Sequence, residues 1–298
     1  VSPILPFDAE PYFAKLEAKR DSFMDSRGEI DTVVVGSSHG DYGVDPALIE
    51  NSFNLCTTSQ DLHQSALMYA WAARHNSRMR RVIVVYSLFS YGFDCSRSAD
   101  KGCCVYLWRA FGLRWRQELD DVFWPMNCNA RWPTQPPAPR PMDRGFERTN
   151  AMGFFSNDPA ALANRVSRHL DFSEVRYREP DNLVHLRSIL ALARRRGDQV
   201  LVAIAPARAD YRSELPAGVP LFTKVRDLCR RAGVPVVDAF ADPAFDYDDF
   251  GDWDHMFPAG EGPKKLAALI NDRWREVRPG RPNYARALYR LRAIGSLQ

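Results

Sequence analysis

Five short apolar runs punctuate the chain at intervals too long for hairpins. They are Thr32–Val35, which stops at Gly36, then residues 53–56, 81–89 ("RVIVVYSLF"), 199–206 ("QVLVAIAP") and 234–240 ("VPVVDAF"). These runs are apolar at nearly every position instead of alternating, which predicts strands buried on both faces. Between and after them, apolar residues recur at helical spacing. Leu62, Ala66, Met68, Tyr69 and Ala72 do so within a helix predicted over 59–75. Leu183, Leu186, Ile189, Leu190 and Ala193 mark another, Val225, Leu228 and Cys229 a third, and Leu266, Leu269, Ile270 and Trp274 a fourth. A first helix is predicted over 8–23, with Asp8 as its cap and Pro11 in its first turn. Strands alternating with helices predict an α/β fold: a flavodoxin-like, doubly wound, parallel five-stranded sheet.

The segment 96–150 breaks this rhythm. It holds three cysteines, four tryptophans and the tract "RWPTQPPAPRPMDR". It reads as an insertion after the third strand, either a cap over the site or an irregular surface excursion. The last stretch, 280–298, reads as an amphipathic, Arg-rich helix that docks on the domain, mediates dimers or meets an anionic polymer or membrane surface. The 298 residues are expected to form a single domain, 1–298.

Composition narrows the function classes. With 45% hydrophobic and 26% charged residues, the chain is expected to be soluble and globular. A net charge of +3 is too small to argue for nucleic acid. Thirty-four Arg against six Lys reads as genome composition before phosphate binding. The longest apolar stretch, around 82–86, predicts no transmembrane helix, and no signal peptide is visible. A cytoplasmic location is expected, although the initial Val leaves room for a trimmed leader or anchor. Cysteines at 56, 95, 103, 104, 128 and 229 form no C-x-x-C pair, which disfavours a zinc ribbon or thioredoxin motif. Most are expected to be free thiols, with a bridge from Cys95 or Cys128 to the Cys103–Cys104 pair left open.

Two motifs carry the candidate chemistry. In "VVVGSSHG", Gly36 permits a sharp turn after the first strand, and Ser38 is expected at the top of the sheet. In "FGDWDHMFPAG", Asp252 precedes His255 by three residues, a spacing at which a carboxylate can orient an imidazole and stabilise its cation. The acidic run Asp246, Asp248, Asp249, Asp252 and Asp254 suggests a metal only weakly. Phe250 and Phe257 stand where an EF-hand needs oxygen ligands. No metal and no cofactor are expected.

Together these motifs resemble the SGNH (GDSL-type) hydrolase superfamily, over roughly 30–95 and 180–275. The resemblance aligns Gly36 with the first Gly of the family's G-D-S turn, Ser38 with its nucleophile, and Asp252 and His255 with its other triad members. Ser37 replaces the usual Asp, and this "GSS" variant looks like that of DltD-type and other polysaccharide-modification proteins. In the second block Asn54 is present and Ser59 replaces Gly, so the resemblance implies an oxyanion hole built from the backbone N–H groups of Ser38 and Ser59. The third block reads "YSLFSYGFD" and lacks the family's Asn. Ser87 or Ser90 is the expected substitute donor.

His39, Arg208 and Tyr211 are candidate substrate-binding residues near the sheet's carboxyl edge. His63, His75, His169 and His185 fall in predicted helices and are expected to be structural. The resemblance implies a serine-dependent acyl-ester enzyme acting on carbohydrate, an O-acetyltransferase or O-acetylesterase of bacterial surface-polysaccharide biosynthesis. The alternative is a catalytically degenerate domain that binds glycan or scaffolds a complex. Expected partners are a carbohydrate or polysaccharide acceptor, an unidentified acyl donor, a membrane-associated biosynthetic partner and a second copy of the chain.

Overall fold

Five strands, Thr32–Val35 (β1), Ser52–Asn54 (β2), Arg81–Tyr86 (β3), Gln199–Ile204 (β4) and Val236–Asp238 (β5), form one all-parallel sheet in the order β2-β1-β3-β4-β5. The computed structural model describes residues 9–98, 100–113, 142–148 and 158–276. The order reverses between β1 and β3, and in open parallel sheets a crevice forms beyond the carboxyl ends at such a point.

Residues alternate between two cores along each strand, as the period of two requires. Val33, Val35, Val82, Val84, Val200 and Val202 join one core. It is covered by Leu62–His75 (α3), Leu183–Arg196 (α6) and Thr223–Ala232 (α8), through residues such as Met68, Leu186 and Val225. Val34, Ile83, Val85, Leu201, Ala203 and Val237 face the other core, under Leu266, Ala267 and Ile270 of the helix Gly262–Glu276 (α9). The sheet therefore has helices on both faces. Each such aliphatic side chain gains roughly 1.5–3 kcal/mol on full burial.

The remaining described helices are Ala9–Ser26 (α1), Ser38–Gly43 (α2), Gly102–Phe111 (α4), Pro159–Asp171 (α5) and Ala209–Ser213 (α7). Element boundaries differ from the sequence reading for local reasons. Helix α3 begins at Leu62, not at 59, because Asp61 and Gln64 close a capping box there. Strand β3 ends at Tyr86, and Ser87 and Ser90 cap the 3-10 turn Leu88–Tyr91 that follows.

Part of the segment 96–150 belongs to the main body. Tyr106, Leu107 and Phe111 of α4 are buried in the first core, and the backbone N–H of Asn54 donates to the Arg144 carbonyl at 2.9 Å. The rest of that segment, Cys128 included, and the expected C-terminal helix lie outside the described residues. Cys56, Cys95, Cys103, Cys104 and Cys229 are buried free thiols. Among the described residues, no helix is long and apolar enough to cross a membrane.

Candidate active site

Helix α2 grows out of the turn after β1. Gly36 has φ of +152°, and a Cβ there would lie 2.7 Å from the Val85 carbonyl oxygen, so only glycine fits. Ser38 is the first helical residue. Two buried devices hold the short helix. Asn54 Nδ2 donates to the carbonyls of Gly40 and Val44, both at 2.8 Å. Lys19 of α1, with no solvent exposure, donates from Nζ to Asp41 Oδ1 at 2.8 Å and to the Cys56 carbonyl at 2.5 Å. Lys15 takes the other Asp41 oxygen at 2.8 Å. These cations hold the Asp41 carboxyl below its ordinary pKa although burial opposes ionisation.

The second motif folds into a tight loop before α9. Phe250 bridges Met256, and the Gly251 N–H donates to the His255 carbonyl at 2.8 Å. Asp252 Oδ1 accepts the backbone N–H groups of Asp254 at 3.0 Å and His255 at 2.8 Å. The carboxylate is thereby fixed before it meets the imidazole. His255 Nδ1 lies 2.9 and 3.0 Å from the two Asp252 oxygens, and Nε2 lies 2.7 Å from Ser38 Oγ. With Asp252 ionised, Nδ1 carries the proton and Nε2 accepts the Ser38 hydroxyl. Burial disfavours the His255 cation, but Asp252 and Asp254 outweigh it and raise the pKa above the ordinary value. Burial also opposes Asp252 ionisation, yet His255 and Arg165 bring its pKa down to about 2.

A second set of side chains lies behind the first. Ser37 Oγ contacts His39 Nδ1 at 3.2 Å, and His39 Nε2 contacts Asp254 Oδ2 at 3.0 Å. The His39 and His255 rings stack 4.5 Å apart. Burial and the neighbouring His255 push the His39 pKa down, which favours the neutral ring. Arg165, from α5, joins the two sets. One guanidinium nitrogen donates to Asp252 Oδ2 at 2.6 Å and Asp254 Oδ1 at 2.8 Å.

The Ser38–His255 pair opens onto a cavity of about 460 Å³ at the carboxyl edge of the sheet. Thr58 and Ser59 line it after β2, Phe89, Phe93, Ser98 and Asp100 after β3, and Arg165, Arg168, His169 and Phe172 from α5 and its end. Phe89, Phe93 and Phe172 form an edge-to-face ladder with centroids 5.3 and 5.5 Å apart.

The structure brings Ser38, Asp252, His255 and Ser59 to this site. Ser59 has φ of +55°, and its hydroxyl donates to Asp100 Oδ2 at 2.6 Å, leaving the backbone as its contribution to any oxyanion contact. The other expected residues are not among those that line the cavity. Ser87 is buried with its hydroxyl 3.0 Å from Ser90 Oγ, and His39 lies behind Ser38, His255 and Asp252. Arg208 is buried, donates to Asp210 at 2.6 and 2.7 Å and stacks 4.1 Å from the Tyr247 ring centroid. Tyr211 is buried against His169. The sequence reading did not single out Arg165 or Arg168, and it expected His169 to be structural, whereas all three line the cavity. Their i, i+3, i+4 spacing was the available signal that they share one helix face.

Asp252, Asp254 and His255 place possible ligand atoms within 4.8 Å of one another. The Arg165 guanidinium already stands between the two carboxylates, and its charge opposes a metal cation there. No protein-family model and no curated protein sequence matches the chain.

Proposed function

We propose that this protein is a serine-dependent acyl-ester enzyme acting on carbohydrate, with an SGNH-type, flavodoxin-like fold. The observation that carries the reading is the relay from Ser38 through His255 to Asp252, at hydrogen-bond distances and opening onto the cavity. Such a relay turns a weak alcohol into a nucleophile.

Ser38 Oγ attacks the acyl carbonyl as His255 Nε2 takes its proton. Asp252 stabilises the imidazolium, and the backbone N–H groups of Ser38 and Ser59 receive the oxyanion. As the first residue of α2, Ser38 has an N–H with no acceptor inside its own helix. His255 then protonates the leaving oxygen. The acyl-enzyme is resolved by water or by a sugar hydroxyl, which His255 deprotonates in turn.

The Phe89–Phe93–Phe172 wall supports a carbohydrate partner, because apolar sugar faces pack on aromatic rings. The cavity far exceeds an acetyl group, which supports a site that also holds an acceptor. We therefore read the enzyme as an O-acetyltransferase of surface-polysaccharide synthesis, with O-acetylesterase as the competing outcome. An aryl acetate should turn over slowly alone and faster with the right acceptor glycan, with acetyl appearing on the sugar by mass spectrometry. Release of free acetate from an acetylated glycan, with no transfer to any acceptor, would make it an esterase. Glycan binding without acyl chemistry, unchanged in Ser38→Ala, would contradict the enzymatic reading.

A further inference from the structure

We propose that His169 is a further catalytic residue of this site, donating a hydrogen bond from Nε2–H to the oxygen of the acyl carbonyl attacked by Ser38. This rests on the reading of Ser38 as nucleophile.

Acyl transfer through a serine develops a full negative charge on the carbonyl oxygen, and donors aimed at that oxygen in a dry site contribute strongly. Ser87, which follows β3, is turned into its own cap, so the expected hydroxyl donor is not at the cavity. His169 is. It projects from α5 one turn beyond Arg165 and lines the cavity together with Ser38 and His255. Asp254 stands between the imidazoles, 3.4 Å from His169 Nδ1 and 3.6 Å from His255 Nδ1.

Hydrogen bonding sets the His169 tautomer. Tyr211 OH lies 2.8 Å from Nδ1. Burial pushes the Tyr211 pKa well above the ordinary value, so the phenol keeps its proton. Among the described residues it has no other hydrogen-bond partner, so donation to Nδ1 is the direction that uses its proton. The Asp254 contact is longer than a good N–H···O bond, and that carboxylate is already served by His39 and Arg165. The ring proton of His169 therefore sits on Nε2, which has no partner among the described residues. Burial pushes the His169 pKa down to about 3, so the ring is neutral wherever His255 can act as base. A neutral imidazole held in one tautomer gives a hydrogen bond without giving up its proton.

The step balances with the proton kept. As the Ser38 Oγ–carbon bond forms, the carbonyl π pair moves onto oxygen, and the Ser38 proton passes to His255. His169 Nε2–H bonds that oxygen until the C=O bond re-forms and the leaving group departs.

The test compares the parent protein with His169→Phe, His169→Gln, Tyr211→Phe and Ser38→Ala, using p-nitrophenyl acetate turnover and the rate of fluorophosphonate labelling. His169→Phe keeps an aromatic ring and removes the donor. It should lower kcat about 10²–10³-fold with KM little changed. His169→Gln, whose amide is again a donor, should recover part of the loss, and Tyr211→Phe should cost roughly tenfold by freeing the tautomer. The acid limb of the pH–rate profile should stay in place in His169→Phe, because His255 sets it. If all three His169 and Tyr211 variants that fold, judged by circular dichroism, react within threefold of the parent while Ser38→Ala is inert, the donor role is wrong and the serine reading stands. If His169→Phe does not fold, undiminished rates in His169→Gln and Tyr211→Phe overturn the proposal equally. Labelling and turnover that survive in Ser38→Ala overturn both readings.

Discussion

At the scale of single residues, the site is a problem of charge held out of water. Asp252 and Asp254 are both ionised although both are buried, and two neighbouring carboxylates ordinarily repel. His255 does most to hold both carboxyls ionised, His39 adds to this at Asp254, and Arg165, which donates to both, adds to it at Asp252. The cost falls on the imidazole, whose pKa is raised. The sign of the pH dependence follows. In the proposed mechanism His255 must be neutral to accept the Ser38 proton, so activity should fall as pH drops through the raised value, with the acid limb above pH ~6.5. Asp252→Asn removes the main raising influence. It should move that limb toward lower pH and lower the rate by about 10²–10⁴. A pH–rate series on both proteins checks this, and an acid limb below pH 6 in the parent would contradict it. Ser38, Asp252 and His255 were legible in sequence because each motif is local: a turn after a strand, and a carboxylate three residues before an imidazole. His39 shows the limit of such reading. It neighbours Ser38 in sequence, but successive helical residues diverge by about 100°, so one faces the cavity and the other Asp254.

At the scale of elements, Ser38, the proposed nucleophile, rides on a six-residue helix too short to be stable alone. Its position comes from its neighbours: Asn54 at β2 ties its carbonyls, and Lys19 reaches from α1 to Asp41. Gly40 permits the close approach, since a Cβ there would meet Cys56 Sγ at 2.4 Å. Lys19→Met leaves a buried carboxylate with Lys15 as its remaining cation. It should lower unfolding stability by up to about 3–5 kcal/mol, the range for breaking a buried pair. Lys19→Met with Asp41→Leu should recover part of that loss. Urea titrations measure both, and an unchanged midpoint for Lys19→Met would show that the pair does not hold the helix. The pattern along α1 marked a helix but did not single out Lys15 or Lys19, because Asp41, the group they meet, lies on another element. The strands were legible, since runs such as 199–206 admit no solvent face. Element ends were less so, because side-chain caps decide them, at Asp61 for the start of α3 and at Ser87 for the turn after β3.

At the scale of the whole molecule, the sheet order brings residues more than two hundred positions apart to one edge. Ser38 follows β1 and His255 follows β5, while the aromatic wall follows β3 and ends beyond α5. Alternating strands and helices foretold the parallel sheet. They did not tell which face of α5 would turn toward the site, because helical periodicity marks a face without naming what it meets. For that reason Arg165 went unmarked and His169 was read as structural. Arg208 and Tyr211 stand after β4 as expected, but they are buried against Asp210 and His169 and are not among the residues that line the cavity. The central claim is that this convergence makes Ser38 a nucleophile, and covalent labelling tests it most directly. After reaction with a fluorophosphonate, peptide mass spectrometry should find the adduct on Ser38. The adduct should persist in Ser37→Ala and be absent from folded Ser38→Ala and His255→Ala. An adduct on another serine, or equal labelling of Ser38→Ala, would contradict the account.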